Sequence, residues 1–219
     1  MGIMLQHSHV AKMVSTRSRY ALKSWVKGSH LISTDPSLIP IPRLIAILDS
    51  KEFYWAKSVP TEAAKEMLEN CLVFGLYKCS PESAQKTAVI SSLSTSPQQA
   101  STAGMRHLDP NAERPIHADL NFIGLARCIT DYTTFLYLTD VWIDPAHQGS
   151  GLGRWLVSTI QEVIESMPYL RRSILFTGDW QRSVPFYEEL LGMSVLETKP
   201  GEGLAIMERK WKGHPNFGH

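Results

Sequence analysis

The run Gln148-Gly149-Ser150-Gly151-Leu152-Gly153-Arg154 constrains this chain more than any other stretch. It is entered from Val141-Trp142-Ile143-Asp144-Pro145 and leads into Trp155-Leu156-Val157-Ser158-Thr159-Ile160, which reads as a strand, a glycine-rich turn and a helix. Three alternating glycines let a ligand approach the backbone, and a helix start offers unpaired N–H groups at the positive end of its dipole. The guest predicted is a phosphate or pyrophosphate. A dinucleotide loop needs Gly-x-Gly-x-x-Gly, but counting from Gly149 the third glycine falls on Arg154, and from Gly151 on Leu156. A triphosphate loop needs Gly-Lys-Ser/Thr, where this chain has Gly153-Arg154-Trp155, without the hydroxyl that would hold magnesium.

Composition bounds the rest. A chain of 219 residues with 43% hydrophobic content suits one well-buried domain. Lys plus Arg number 22 against 21 for Asp plus Glu, so no strong field points to nucleic acid or an anionic membrane. Cys71, Cys79 and Cys128 are odd in number and form no Cys-x-x-Cys pair, which argues against a disulfide scaffold or a structural zinc site. The expectations are a reducing compartment, no metal, and no membrane association, since no apolar run approaches the ~20 residues that cross a bilayer. Between Lys12 and Lys27 the chain is basic, with no acid before Asp35. This is read as a basic extension over residues 1–28 of a cytoplasmic protein, with a mitochondrial leader as the lesser alternative.

Along the chain, Leu31–Thr34 reads as a first strand, Leu38–Leu48 and a segment from Pro60 to Asn70 as helices, and Cys71–Tyr77 as a buried strand. Residues 79–119 shift to Ser, Thr, Pro, Gln and Ala, a flexible insertion in which His107, Asp109 and His117 are taken as loop residues. Phe122–Thr130 and Thr134–Ile143 form a hairpin. A helix over 151–166, a strand at Ser173–Phe176, a helix at Ser183–Leu191 and an antiparallel pair of Met193–Leu196 with Leu204–Met207 complete the order, before a tail at 211–219.

The pattern Gln/Arg-x-x-Gly-x-Gly/Ala is met by Gln148, Gly151 and Gly153, and Phe186-Tyr187-Glu188 leads to Leu191-Gly192-Met193. Two such signatures, in this element order, resemble the GNAT superfamily of N-acyltransferases over residues 29–210. The resemblance implies a single α/β (α+β) domain whose mixed, mostly antiparallel sheet is flanked by helices and splays beside the strand at 134–143. It implies acetyl-CoA as co-substrate, with its pyrophosphate on Gln148, Gly149, Ser150, Gly151, Leu152, Gly153 and Arg154. The pantetheine arm is expected along a bulge at Val141, Trp142 and Ile143, with Ser183 and Phe186 on the cofactor's other side. Ser150 stands where many relatives carry Lys or Arg, and Arg154 is the expected substitute. Trp180 stands where many have Asn.

By the same resemblance, Tyr187 is the general acid that protonates the leaving thiolate, a role open to a phenol of pKa ~10. Asp140 is the first candidate for the base that deprotonates the amine, with a buried ion pair to Arg127 as the equal alternative and Asp179 in reserve. Alternation puts Asp140 on one face with Leu138 and Trp142. Tyr54 and Trp55, beside Phe53, are expected to wall the acceptor pocket or to plug the core. The implied activity is acetyl transfer to a primary amine of a small molecule, in a monomer or homodimer. A protein lysine or N-terminus as acceptor, and a non-catalytic acyl-CoA-binding module, are the alternatives.

Overall fold

A computed structural model describes residues 16–79 and 120–196. The first 15 residues of the expected basic extension, the insertion with its histidines from residue 80 to 119, strand Leu204–Met207 and the tail lie outside the described residues. Six strands run in sheet order as they do in sequence: β1 (Ser24–Lys27), β2 (His30–Ser33), β3 (Leu72–Cys79), β4 (Leu120–Thr130), β5 (Phe135–Ile143) and β6 (Arg172–Leu175). Every neighbouring pair is antiparallel except β5 and β6, which are parallel. Four α-helices flank the sheet: α1 (Ile41–Leu48), α2 (Thr61–Glu69), α3 (Leu152–Glu165) and α4 (Ser183–Leu191).

Helix α3 carries Leu156, Val157, Ile160 and Val163 at helical spacing, and these pack with Phe74, Ala126, Leu136 and Leu138 on one face of the sheet. Helices α1 and α2 cover the other face, where Leu44, Ile47, Leu48 and Leu68 meet Val73, Tyr77, Leu125 and Trp142. A sheet buried on both faces explains why β3 reads as a nearly unbroken apolar run rather than an alternating one.

Three expectations are corrected. The sheet begins earlier than Leu31, because β1 pairs with β2 across a tight turn whose Gly28 sits at φ +59. Its sequence Ser-Trp-Val-Lys is largely exposed and lacks a buried alternating stripe, so periodicity did not mark it. The first helix starts at Ile41 rather than Leu38. Pro36–Leu38 is a separate 3-10 turn capped by Asp35, and prolines at 40 and 42 fit only the flank and first turn of a helix. Met193–Leu196 is irregular rather than a strand.

Candidate active site

Strand β5 pairs with β6 only from Phe135 to Leu138, opposite Leu175 where β6 ends, so β5 has no β6 partner from Thr139 to Ile143. The edge of β5 is thus open where the splay is expected. On the other edge of β5, Arg127 pairs with Thr139 and Leu125 with Trp142: two steps along β4 answer three along β5. The extra residue is a bulge, and Asp140 takes a left-handed φ of +52 within it. Short polar Asp is one of the few non-glycine residues that tolerate this region.

The bulge also overturns the expected sharing of faces. Leu138 belongs to the core under α3, whereas Trp142 belongs to the core under α1 and α2. One inserted residue shifts the two-residue period and moves the rest of the strand to the opposite face. Asp140, 8% exposed, points to the Trp142 side. Its Oδ2 accepts from Nε of Arg127 at 2.6 Å and lies 2.6 Å from Nη2, while Oδ1 accepts from Trp55 Nε1 and Thr139 Oγ1, each at 3.3 Å. Asp140 is thus held by donors on both oxygens. The reserve acid, Asp179, accepts from the backbone N–H of Arg182 at 2.9 Å and so shapes the turn into α4.

The glycine loop follows a 3-10 turn, Pro145–His147, capped by Asp144. Gln148 Nε2 donates to the Ile143 carbonyl at 2.9 Å, tying the loop to the end of β5, and Ser150 Oγ donates to the His147 carbonyl at 2.8 Å. Gly149 and Gly151 stand at φ +79 and +80, and a Cβ built on either would meet nothing within 4 Å. The first helical hydrogen bond runs from Trp155 N to Gly151 O at 3.0 Å. Among the described residues the backbone N–H groups of Gly149 through Arg154 therefore have no protein acceptor. Such a row of donors at a helix start has the geometry and dipole that suit an oxyanion. Arg154 does not lie free beside it: its guanidinium grips Glu189 of α4.

Helix α4 ends at Gly192, φ +61, as the Leu-Gly pair predicts. Phe186 and Tyr187 meet edge to face at 5.1 Å and pack on the α3 side of the core. Burial pushes the Tyr187 phenol up to about 12, and no side-chain partner holds its hydroxyl among the described residues. Ser183 opens the helix and stays partly exposed, and Trp180 is 65% exposed.

Opposite, on the α1 side, a cleft of about 350 Å³ opens between α1 and the end of β5. Trp142, Ile47 and Pro145 wall it, and Arg43, Glu52 and Asp144 give it charge. Arg43 donates to Asp144 Oδ2 at 2.9 Å. Of the loop aromatics, Phe53 is the core plug, fully buried. Trp55 lies over it at 4.3 Å and reaches Asp140, while Tyr54 is 66% exposed; neither lines this cleft, which takes Ser50 and Glu52 from the same loop. Arg43 and Glu52 carried no sequence signal, because their relation to Asp144 spans the fold.

The open sheet edge and the glycine loop before α3 are what the resemblance read in the sequence implies, and the comparisons supply the class. The model of the acetyltransferase (GNAT) family matches residues 74–193, and the chain belongs to that family. A Gibberella zeae protein whose name marks it as a candidate acetyltransferase is 34% identical over 157 residues, 72% of this chain and 76% of its own. The crystal structure of a GNAT-family protein from Xanthomonas campestris superposes with a TM-score of 0.54 at 23% identity, over 84% of this chain and 94% of that one, a likeness of fold.

Proposed function

We propose that this protein moves an acetyl group from acetyl-CoA directly to the primary amine of a small molecule. The observation that carries the donor half is the row of N–H groups from Gly149 to Arg154 that have no acceptor among the described residues, opened by two left-handed glycines whose Cβ positions meet none of those residues within 4 Å. That cradle fits a pyrophosphate. From there the open edge of β5, Val141 to Ile143, offers backbone groups to a pantetheine arm and to the thioester carbonyl, where a donated N–H would stabilise developing charge.

The acceptor half rests on the cleft. It lies on the face of Trp142, across the sheet from α3 and α4, so an amine placed there meets the thioester past the open edge of β5. One arginine against two carboxylates leaves the lining with a net charge of −1, which favours a cationic amine. A volume of about 350 Å³ suits a small acceptor. The ammonium first gives a proton to solvent; the free amine then forms the C–N bond as the C–S bond breaks, and the second proton that the nitrogen sheds passes through solvent to restore the Tyr187 phenol. Tyr187, protonated at neutral pH, supplies the proton for the thiolate. We assign Asp140 to holding the bulge, where its carboxylate bridges Arg127 of β4 and Trp55.

Thiol release from acetyl-CoA over a panel of amines, amino acids and lysine peptides tests this reading. Turnover on small amines with none on peptides supports it. Binding of acetyl-CoA without turnover on any acceptor would sink it.

A further inference from the structure

Arg154 occupies the first turn of α3, and helical side chains lean toward the N-terminus, here toward the open amides of the glycine loop. It is the only cationic side chain between Gln148 and Arg154, since Ser150 turns its hydroxyl to the His147 carbonyl. A cation there does nothing for the helix itself, whose dipole prefers acids in that turn and finds none. Instead Nη1 and Nη2 donate to Oε1 and Oε2 of Glu189 at 2.6 and 3.0 Å, a two-pronged pair from the first turn of α3 to the last turn of α4. Both side chains are more than half exposed, so an incoming anion can compete for the guanidinium.

We propose that Glu189 is a built-in competitor for Arg154, the side chain that the family resemblance puts on the pyrophosphate, so that acetyl-CoA binds by an exchange of Arg154 from carboxylate to phosphate. The proposal rests on the acetyl-CoA reading above. The coenzyme's pyrophosphate accepts from the same guanidinium fork and carries two negative charges against the one of a carboxylate, so the exchange runs toward the ligand and its cost appears as a weaker dissociation constant. Exposed pairs of this kind limit that cost to about five-fold.

Calorimetric titration of acetyl-CoA into the wild type, Glu189→Gln, Arg154→Gln and the double variant tests the exchange, at about 50 mM and about 500 mM salt. Glu189→Gln is expected to bind about three- to five-fold more tightly at low salt. The gain should shrink at high salt, vanish for acetyl-pantetheine, which lacks the pyrophosphate, and vanish in the Arg154→Gln background. Unchanged or weaker binding by Glu189→Gln overturns the proposal, as does a gain that survives without Arg154, which would mean simple charge repulsion. Wild-type protein that binds no acetyl-CoA overturns this proposal and the donor assignment together; wild-type binding with an unmoved Glu189→Gln overturns the exchange alone.

Discussion

Asp140→Asn removes one charge and little else. Asn tolerates the left-handed φ of +52 that the bulge requires, and it matches Asp in size, so backbone strain and packing stay nearly constant. What changes is Arg127, left charged beside a neutral amide in a site where the two side chains are 12% and 7% exposed. Breaking a buried pair from one side costs about 3–5 kcal/mol, and the residual exposure of Arg127 puts the expectation near the lower end, about 3 kcal/mol. With a urea slope of about 2 kcal/mol/M, the midpoint should fall by about 1.5 M. Urea unfolding followed by tryptophan fluorescence reads this directly. Replacing both partners, Arg127→Met with Asp140→Asn, should recover at least about 2 kcal/mol, because no buried charge is then left alone. A single variant costing under about 1 kcal/mol, or a double variant equal to the sum of the singles, would refute the argument that this pair braces the bulge. The same Asp140→Asn protein, assayed for thiol release against pH, should keep the acidic limb of the wild type if Asp140 braces the bulge; loss of that limb would assign Asp140 as the amine's base.

Tyr187→Phe should lower kcat by about 10²-fold or more with acetyl-CoA affinity nearly unchanged; near-normal turnover removes the acid role. Burial raises this phenol from its ordinary value near 10 to about 12, so its protonated form persists in the folded protein while the unfolded chain begins to ionise. Its contribution to stability is therefore full below pH ~10 and lost as pH climbs toward ~12, and kcat should show no alkaline limb from Tyr187 below pH ~10 in stopped-flow or steady-state profiles. Gly151→Ala forces a side chain into φ +80, costing about 1–2 kcal/mol in a thermal melt, and its Cβ faces the open space above the loop, so calorimetry should show acetyl-CoA binding lost. Gly153→Ala meets only Ile143 Cγ1 at 3.6 Å and should leave both stability and binding close to wild type. Leu156→Ala, fully buried between α3 and the sheet, should cost about 2–5 kcal/mol in the same melts.

Ranges of α3 and α4, the β4–β5 hairpin and the glycine loop were legible because their causes are local. A 3.6-residue stripe from Leu152 to Val163, an αL glycine at position 192 and an Asp at the head of the hairpin turn act within a few residues of themselves. β1 was not legible, since four mostly exposed residues gain their strand from pairing with β2 rather than from their own pattern.

Short-range chemistry alone sets the glycine loop, its place between a strand and a helix, and the aromatic signature at Phe186-Tyr187. Tertiary structure alone decided what the polar residues around them do. Asp140 faces Arg127 and Trp55, 13 and 85 residues away, Arg43 meets Asp144 across 101, and Arg154 meets Glu189 across 35. Trp142 changed faces because a single bulged residue interrupts a strict period of two. Local chemistry fixes which backbone groups a turn exposes. Which charges share a site depends on distances through space, and only the packed sheet supplies those.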